Sequence, residues 1–297
     1  MKPGVLIADR YRLERMVGEG GMSAVWEATD TQEGGGGRLA LKLAMPSGVG
    51  WEEFEARFRR EAAIAHYLGK APRGFVRVRD WGRHGAQALF LVMDLVEDAD
   101  ELDLVNGPLP ARLERLALAA ERVGDAHVLG VVHRDLKPAN VLVRRRDGEV
   151  FLADFGLAKV VDAPPDSELA HLGSLTGSGM TMGTLVYMAP EQMVDAKRAG
   201  PPADVFSLGV MLYAVLTGEL PFKGRTNDVV SSQQMLRAGR IPPPSPARTL
   251  PGVPPELDAL CVRCLAGDPD ERPTGLEVAR ALAAAVTART DARTRRL

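Results

Sequence analysis

Short apolar runs separated by turn residues open the chain, and longer runs at helical spacing follow. Tyr11–Val17 and Ala24–Thr29 read as two strands joined by Gly18-Glu19-Gly20-Gly21-Met22-Ser23. A third strand, Leu39–Leu43, follows the glycine tip 34–37. Trp51–Leu68 reads as a helix because Phe54, Phe58, Ala62 and Ala65 fall on one face. Phe75–Trp81 and Ala88–Met93 complete an antiparallel sheet of about five strands, a common size. From Leu102 the pattern turns helical. Ala111–Leu129 carries Leu113, Leu116, Ala120 and Val123 at helical spacing and ends at Gly130, an expected left-handed cap. Asn140–Val143 and Val150–Ala153 form a small hairpin about Asp147-Gly148. A strongly apolar helix opens at Asp204, a residue suited to an N-terminal cap, and further helices follow Pro221-Phe222. The fold class is α+β: a sheet with one helix, then a mainly α-helical part. The Pro-rich run 241–246 reads as a rigid connector and residues 286–297 as a flexible, solvated tail.

Composition narrows the class without naming a function. The 297 residues are 45% hydrophobic with a formal charge of −2, which describes a folded globular chain and offers no argument for nucleic-acid or membrane binding. No run approaches the ~20 apolar residues that span a bilayer. The start lacks the apolar core of a secretory signal. The two cysteines, Cys261 and Cys264, lie in an apolar helical pattern without a second Cys/His pair. They read as buried small residues rather than half a metal site, and the cytoplasm is the expected compartment.

The candidate chemistry lies in four places. Three glycines in four positions, Gly18, Gly20 and Gly21, let the backbone approach a ligand with amide hydrogens available for phosphate. Lys42 interrupts an apolar strand and is costly to bury without a partner, although an edge-strand charge facing solvent is the plainer alternative. Val131–Asn140 brings Asp135, Lys137 and Asn140 within six positions before Asp154-Phe155-Gly156. The hairpin between them explains how Asn140 and Asp154 could reach one metal. Their hard oxygens suit Mg²⁺ shared with substrate phosphates, and Lys137 would neutralise charge on a transferring phosphoryl group. Finally, a Gly-, Ser- and Thr-rich segment fills the distance from Asp154 to Glu191, and loops that long are uncommon unless functional.

These motifs, in this order, resemble the protein kinase family, in particular the serine/threonine kinases of bacteria. The likeness covers residues 9–285. It implies a two-lobed fold with an N-lobe (9–93) of five antiparallel strands and one helix, a hinge (94–96) and a mainly helical C-lobe (97–285). It implies an enzyme that transfers the γ-phosphate of ATP to serine or threonine hydroxyls of proteins, with Mg²⁺, or Mn²⁺ in its place. Asp135 would take the hydroxyl proton, Lys137 steady the γ-phosphate, and Lys42, paired with Glu61, hold the α- and β-phosphates. Asn140 and Asp154 would hold the metal. The nucleotide would contact Val17, Gly18, Glu19, Gly20, Gly21, Met22, Ser23, Ala24 and Val25 of the lid. Ala40, Met93, the hinge residues Asp94 and Val96, and Leu142 would surround the adenine. Ser23 stands where the family has a third glycine. Thr184, Glu191 and its partner Arg272 resemble the substrate-docking end of the activation segment, and Asp204 the residue that steadies the catalytic loop from beneath.

Many bacterial relatives carry a membrane span and a sensor domain; neither is evident here. Input is therefore expected from partners, homodimer contacts or the segment itself. Thr176, Ser178 and Thr181 match positions of autophosphorylation, in trans within a homodimer, and Arg134 and Lys159 would receive the phosphate. As plain loop-forming hydroxyls the three need no such role. Three other readings stay open: a nucleotide-binding scaffold without turnover, a small-molecule phosphotransferase, and an interaction module to which ATP is irrelevant. The first would normally lose Lys42, Asp135 or Asp154, and all are present. The second would not need Thr184 or the Glu191–Arg272 pair.

Overall fold

The computed structural model describes residues 1–19, 23–32, 37–46, 50–155, 158–160, 185–195 and 199–294. The chain divides into two units, Met1–Asp98 with Asp154–Gly156 and Ala99–Ala153 with Leu157–Leu297. The first is built on β1 (Leu6–Ile7), β2 (Tyr11–Glu19), β3 (Ser23–Asp30), β4 (Arg38–Ala44), α1 (Trp51–Leu68), β5 (Val78–His84) and β6 (Ala88–Asp94). Its strands form one antiparallel sheet in the order β1-β2-β3-β4-β6-β5.

The five expected strands are present, and α1 occupies the residues that its periodicity predicts. Two details differ. β1 adds a sixth strand that is only two residues long, too short to leave a periodic signal. The strand expected over Phe75–Trp81 begins instead at Val78 and continues to His84. Phe75 and Val76 are buried, and the Phe75 ring lies 6.2 Å from that of Phe155, so they pack inward before the ladder starts. Their apolar character imitates a strand that is not there.

Register gives the sheet two different faces. Residues directly opposite on neighbouring strands share a face, so Gly18, Val25, Lys42 and Leu91 form one row. Ala40 and Met93 oppose each other two residues along, on that same face. The other face carries Leu13, Trp26, Leu39, Leu41, Leu43, Phe90 and Val92 in one dry cluster. Each fully buried leucine there contributes on the order of 2 kcal/mol. Helix α1 covers β5 and β6 with its buried stripe of Phe54, Phe58, Ala62 and Ala65.

The second unit contains β7 (Ala99–Glu101), α2 (Leu109–Val128), β8 (Val131–Val132), β9 (Val141–Arg144), β10 (Val150–Leu152), β11 (Lys159–Val160), α3 (Pro190–Asp195), α4 (Pro201–Thr217), α5 (Thr226–Arg237), α6 (Pro246–Thr249), α7 (Pro255–Cys264) and α8 (Gly275–Thr294), with 3₁₀ turns at Pro138–Asn140 and Pro269–Glu271. The hairpin β9–β10 is as expected and gains β7 as a third strand. Gly130 follows α2 at φ 76°, the left-handed stop its position calls for. Helix α4 is apolar on every side and buried from Ala203 to Leu216, as such a helix must be. Its N-cap is Gly200, which corrects the expectation that Asp204 caps it: Pro201 and Pro202 start the helix earlier, and Asp204 lies a turn inside. Cys261 and Cys264 are free and buried on α7, packed against Gly209 of α4. Helix α8 continues to Thr294, beyond residue 285, because its alanines favour the helix. No helix among the described residues is long and apolar enough to cross a membrane.

Helices α2 and α8 meet where Gly124 faces Gly275 and Leu276. A Cβ on Gly124 would lie 2.5 Å from Leu276 Cδ2 and 2.9 Å from its backbone nitrogen. Gly124→Val is therefore expected to destabilise the protein by about 1–3 kcal/mol through overpacking. Thermal unfolding measures it, and an unchanged midpoint would contradict the close crossing.

Candidate functional site

In the first unit the sheet face that carries Lys42 is also the face toward Glu61 of α1. The ammonium lies 2.6 Å from Glu61 Oε1 and 2.9 Å from Asp154 Oδ1. Lys42 and Glu61 are each 9% exposed, so two unlike charges share a nearly dry site. Burial opposes the charge on Lys42, but Asp154 and Glu61 together outweigh it and hold the group protonated, above its ordinary range. Burial pushes the Glu61 carboxyl up; Lys42 opposes that and Asp154 adds to it. Two other acidic residues of α1 are engaged elsewhere: Glu53 pairs with Arg57, and Glu55 with Arg59 and Arg83. Removing either partner of such a buried pair costs about 3–5 kcal/mol.

Around Lys42 the sheet gathers other candidate residues. Val17, Gly18 and Glu19 are exposed on β2; Ser23, Ala24 and Val25 are half-buried on β3. Ala40 is buried on β4, and Met93 and Asp94 are half-buried at the end of β6, with Val96 just beyond. Gly20, Gly21 and Met22 lie outside the described residues.

In the second unit, the segment after β8 gathers the other chemical groups. Lys137 Nζ lies 2.8 Å from Asp135 Oδ2. The Asn140 side-chain amide donates to the Asp135 carbonyl at 2.7 Å and to Oδ2 at 3.2 Å. Asp135 Oδ1 is buried and has no hydrogen-bond partner among the described residues. A carboxylate with one oxygen held by neighbours and the other without a partner keeps acceptor capacity for a proton. Leu142 is half-buried on β9 nearby in sequence.

What aims this segment is Asp204. Its carboxylate accepts the backbone N–H of His133 at 2.8 Å and that of Arg134 at 2.7 Å, and His127 Nε2 lies 2.9 Å away. Asp204 is 1% exposed. Burial opposes its charge, but His127 and the Arg134 N–H outweigh this and keep its pKa below the ordinary carboxylate value. Arg134 sits at φ 66° and Asp154 at φ 59°, left-handed conformations that cost a non-glycine residue about 1–2 kcal/mol. The Arg134 guanidinium is buried and donates to the Ala199 carbonyl.

Glu191 and Arg272 form a two-pronged pair at 2.7 and 2.9 Å. Arg272 also donates to the carbonyls of Ala266 and Pro202 and stacks over Phe206. Ser207, one turn beyond Asp204, donates to the Tyr187 carbonyl at 2.7 Å. Neither Ser207 nor His127 was expected; the only available signal was a polar side chain within an otherwise apolar helix face. Thr176, Ser178, Thr181 and Thr184 lie outside the described residues, and only the backbone of Lys159 is described, in β11.

Among the described residues no group of three or more His, Cys, Asp or Glu could hold a metal ion unaided. The donors on offer are the Asp154 carboxylate, 45% exposed, and the Asn140 carbonyl oxygen, whose amide nitrogen is already engaged. Each, in its own unit, is a hard oxygen donor of the type that Mg²⁺ takes, so the residue types fit such a cation.

Comparison with known proteins identifies the family. The family described as Protein kinase domain matches residues 11–284. The serine/threonine-protein kinase PknA of Mycobacterium tuberculosis is 37% identical over 278 residues, 91% of this chain and 59% of that protein. PknL of the same species is 35% identical, over 90% of this chain and 63% of the relative. Pkn3 of Myxococcus xanthus is 33% identical, over 94% and 50%. The chain thus spans about half to three-fifths of these relatives.

Asp204→Asn is expected to cost about 2–4 kcal/mol, because an NH₂ replaces an oxygen that accepts backbone N–H groups. The depressed pKa of Asp204 sets the sign with pH. Its contribution is complete above the unfolded value of about 4 and is lost as pH falls through the lower folded value. Denaturant unfolding should therefore show a gap between wild type and variant at neutral pH that narrows in acid.

Proposed function

The chain belongs to the protein kinase family, and on that premise we propose that it transfers the γ-phosphate of ATP to serine or threonine hydroxyls of proteins. The observation that carries this is the cluster of Asp135, Lys137 and Asn140, in which Asp135 Oδ1 has no hydrogen-bond partner among the described residues. Asp135 orients the hydroxyl and accepts its proton at Oδ1 as the oxygen attacks phosphorus. Lys137 steadies the γ-phosphate, and Lys42, fixed by Glu61, grips the α- and β-phosphates. Asn140 and Asp154 would hold Mg²⁺, or Mn²⁺ in its place; when bound, the metal neutralises the phosphates between donor and acceptor. Because the chemistry is mostly positioning, the stiffness of these contacts matters as much as their identity.

The lid residues from Val17 to Val25 cover the nucleotide in this reading. Ala40, Met93 and Leu142 border the adenine, and the backbone at Asp94 and Val96 meets its polar edge. The catalytic domain is assigned to residues 9–285, with 94–96 as the hinge. Thr184, with the Glu191–Arg272 pair holding the start of α3, presents the protein substrate. The relatives' names support the serine/threonine class. Thr176, Ser178 and Thr181 are the proposed autophosphorylation sites, modified in trans by a second copy, with Arg134 and Lys159 receiving the phosphate. The cytoplasm is the proposed compartment, supported by the two free cysteines.

Asp154→Ala should reduce phosphate transfer by roughly 10³-fold or more, the loss of a charged group at the phosphates. It should leave the fold intact, since Glu61 still neutralises Lys42. Radiolabel transfer and thermal unfolding measure the two effects, and near-normal transfer would refute the metal role. After incubation with ATP and Mg²⁺, mass spectrometry should find phosphate on Thr176, Ser178 or Thr181; an unmodified segment in a fully active protein would remove the switch.

A further inference from the structure

Gln192 stands third in α3, just after Glu191, and is 6% exposed. Both ends of its side-chain amide are in use. The Ala189 N–H donates to Oε1 at 3.0 Å, and Nε2 donates to the Arg134 carbonyl at 2.9 Å. One partner can only donate and the other only accept, so the orientation of the amide is set by its neighbours. Ala189 closes the proposed docking segment; Arg134 immediately precedes Asp135. A single buried group therefore joins the two.

The Arg134 residue is gripped from both sides. Asp204 holds its N–H and Gln192 its carbonyl, while its backbone sits in the left-handed region at φ 66°. A long side chain does not choose that conformation unaided. With the carbonyl released, the peptide joining Arg134 to Asp135 would keep only its N–H contact to His133 Nδ1 at 3.3 Å, and a turn about it would carry the Asp135 carboxylate along. Asp204 and Ser207, one turn apart on α4, hold the catalytic loop and the docking segment from the same helix. Gln192 is the third side of that triangle.

We infer that Gln192 is a positioning residue that couples the docking segment to Asp135, so that the base is aimed only when the segment is seated. The inference rests on the kinase reading. It assigns Gln192 to transfer onto protein hydroxyls, which needs an aimed base and a seated acceptor, more than to hydrolysis of ATP by water.

The test compares wild type, Gln192→Glu and Gln192→Leu, measuring phosphate transfer to casein and to the chain itself against ATP hydrolysis without acceptor. Glutamate keeps the acceptor for Ala189 but turns a carboxylate oxygen toward the Arg134 carbonyl. In both variants the ratio of transfer to hydrolysis should fall by about tenfold or more, the scale expected of a misplaced reacting group. Protonation restores a donor in Gln192→Glu alone. Its ratio relative to wild type should recover as pH is lowered, while that of Gln192→Leu stays low. An unchanged ratio, or equal loss of both activities, overturns the inference. So does failure of both variants to fold at assay temperature, which would make Gln192 a core residue. A folded wild type that hydrolyses ATP but phosphorylates neither acceptor overturns the kinase reading itself, and the inference falls with it.

Discussion

A carboxylate buried inside an apolar helix is the constraint on which the second unit depends. Asp204 lies a turn inside α4, and its charge survives there only because His127 and two backbone N–H groups converge on it. Helix α2, the segment after β8 and α4 are thereby tied to one point. The strained backbone at Arg134 is affordable because those contacts over-determine it. Connecting segments are ordinarily the soft parts of a fold; this one is stiffened by a buried carboxylate that accepts two of its N–H groups.

The first unit solves a similar problem with a sheet. Alternation puts Leu39, Leu41 and Leu43 on one face of β4 and Ala40 and Lys42 on the other. A hydrocarbon cluster on one face leaves the opposite face for a charge, provided a partner arrives. Helix α1 brings Glu61, and Asp154 approaches from a distant part of the chain. Lys42 is then a charge held in a nearly dry place between two carboxylates.

Much of this was legible in the sequence because it is written in local rules. The 18 residues of α1 follow from one apolar stripe, and Gly130 marks the end of α2 because only a left-handed residue fits there. Glu61 came from the resemblance; the first turn of the same helix holds Glu52 and Glu53, where acidic residues serve the helix dipole. Other features misled. Phe75 and Val76 have the composition of a strand but pack before one. Asp204 looks like a cap, yet two prolines begin the helix ahead of it. In both cases local preference was correct about residue type and silent about the partner.

The sequence by itself determined the alternation of strands and helices, the order of the motifs and the identities of the groups that carry charge. Those are properties of neighbours along the chain, where steric and hydrophobic periodicity act. Only the tertiary structure decided that Asp204 faces the N–H groups of His133 and Arg134, that Ser207 reaches Tyr187, and that the Gln192 amide spans Ala189 and Arg134. A buried polar group must be satisfied by something, but its partner can lie tens of residues away, and no local pattern names it. Packing alone brings the partners together.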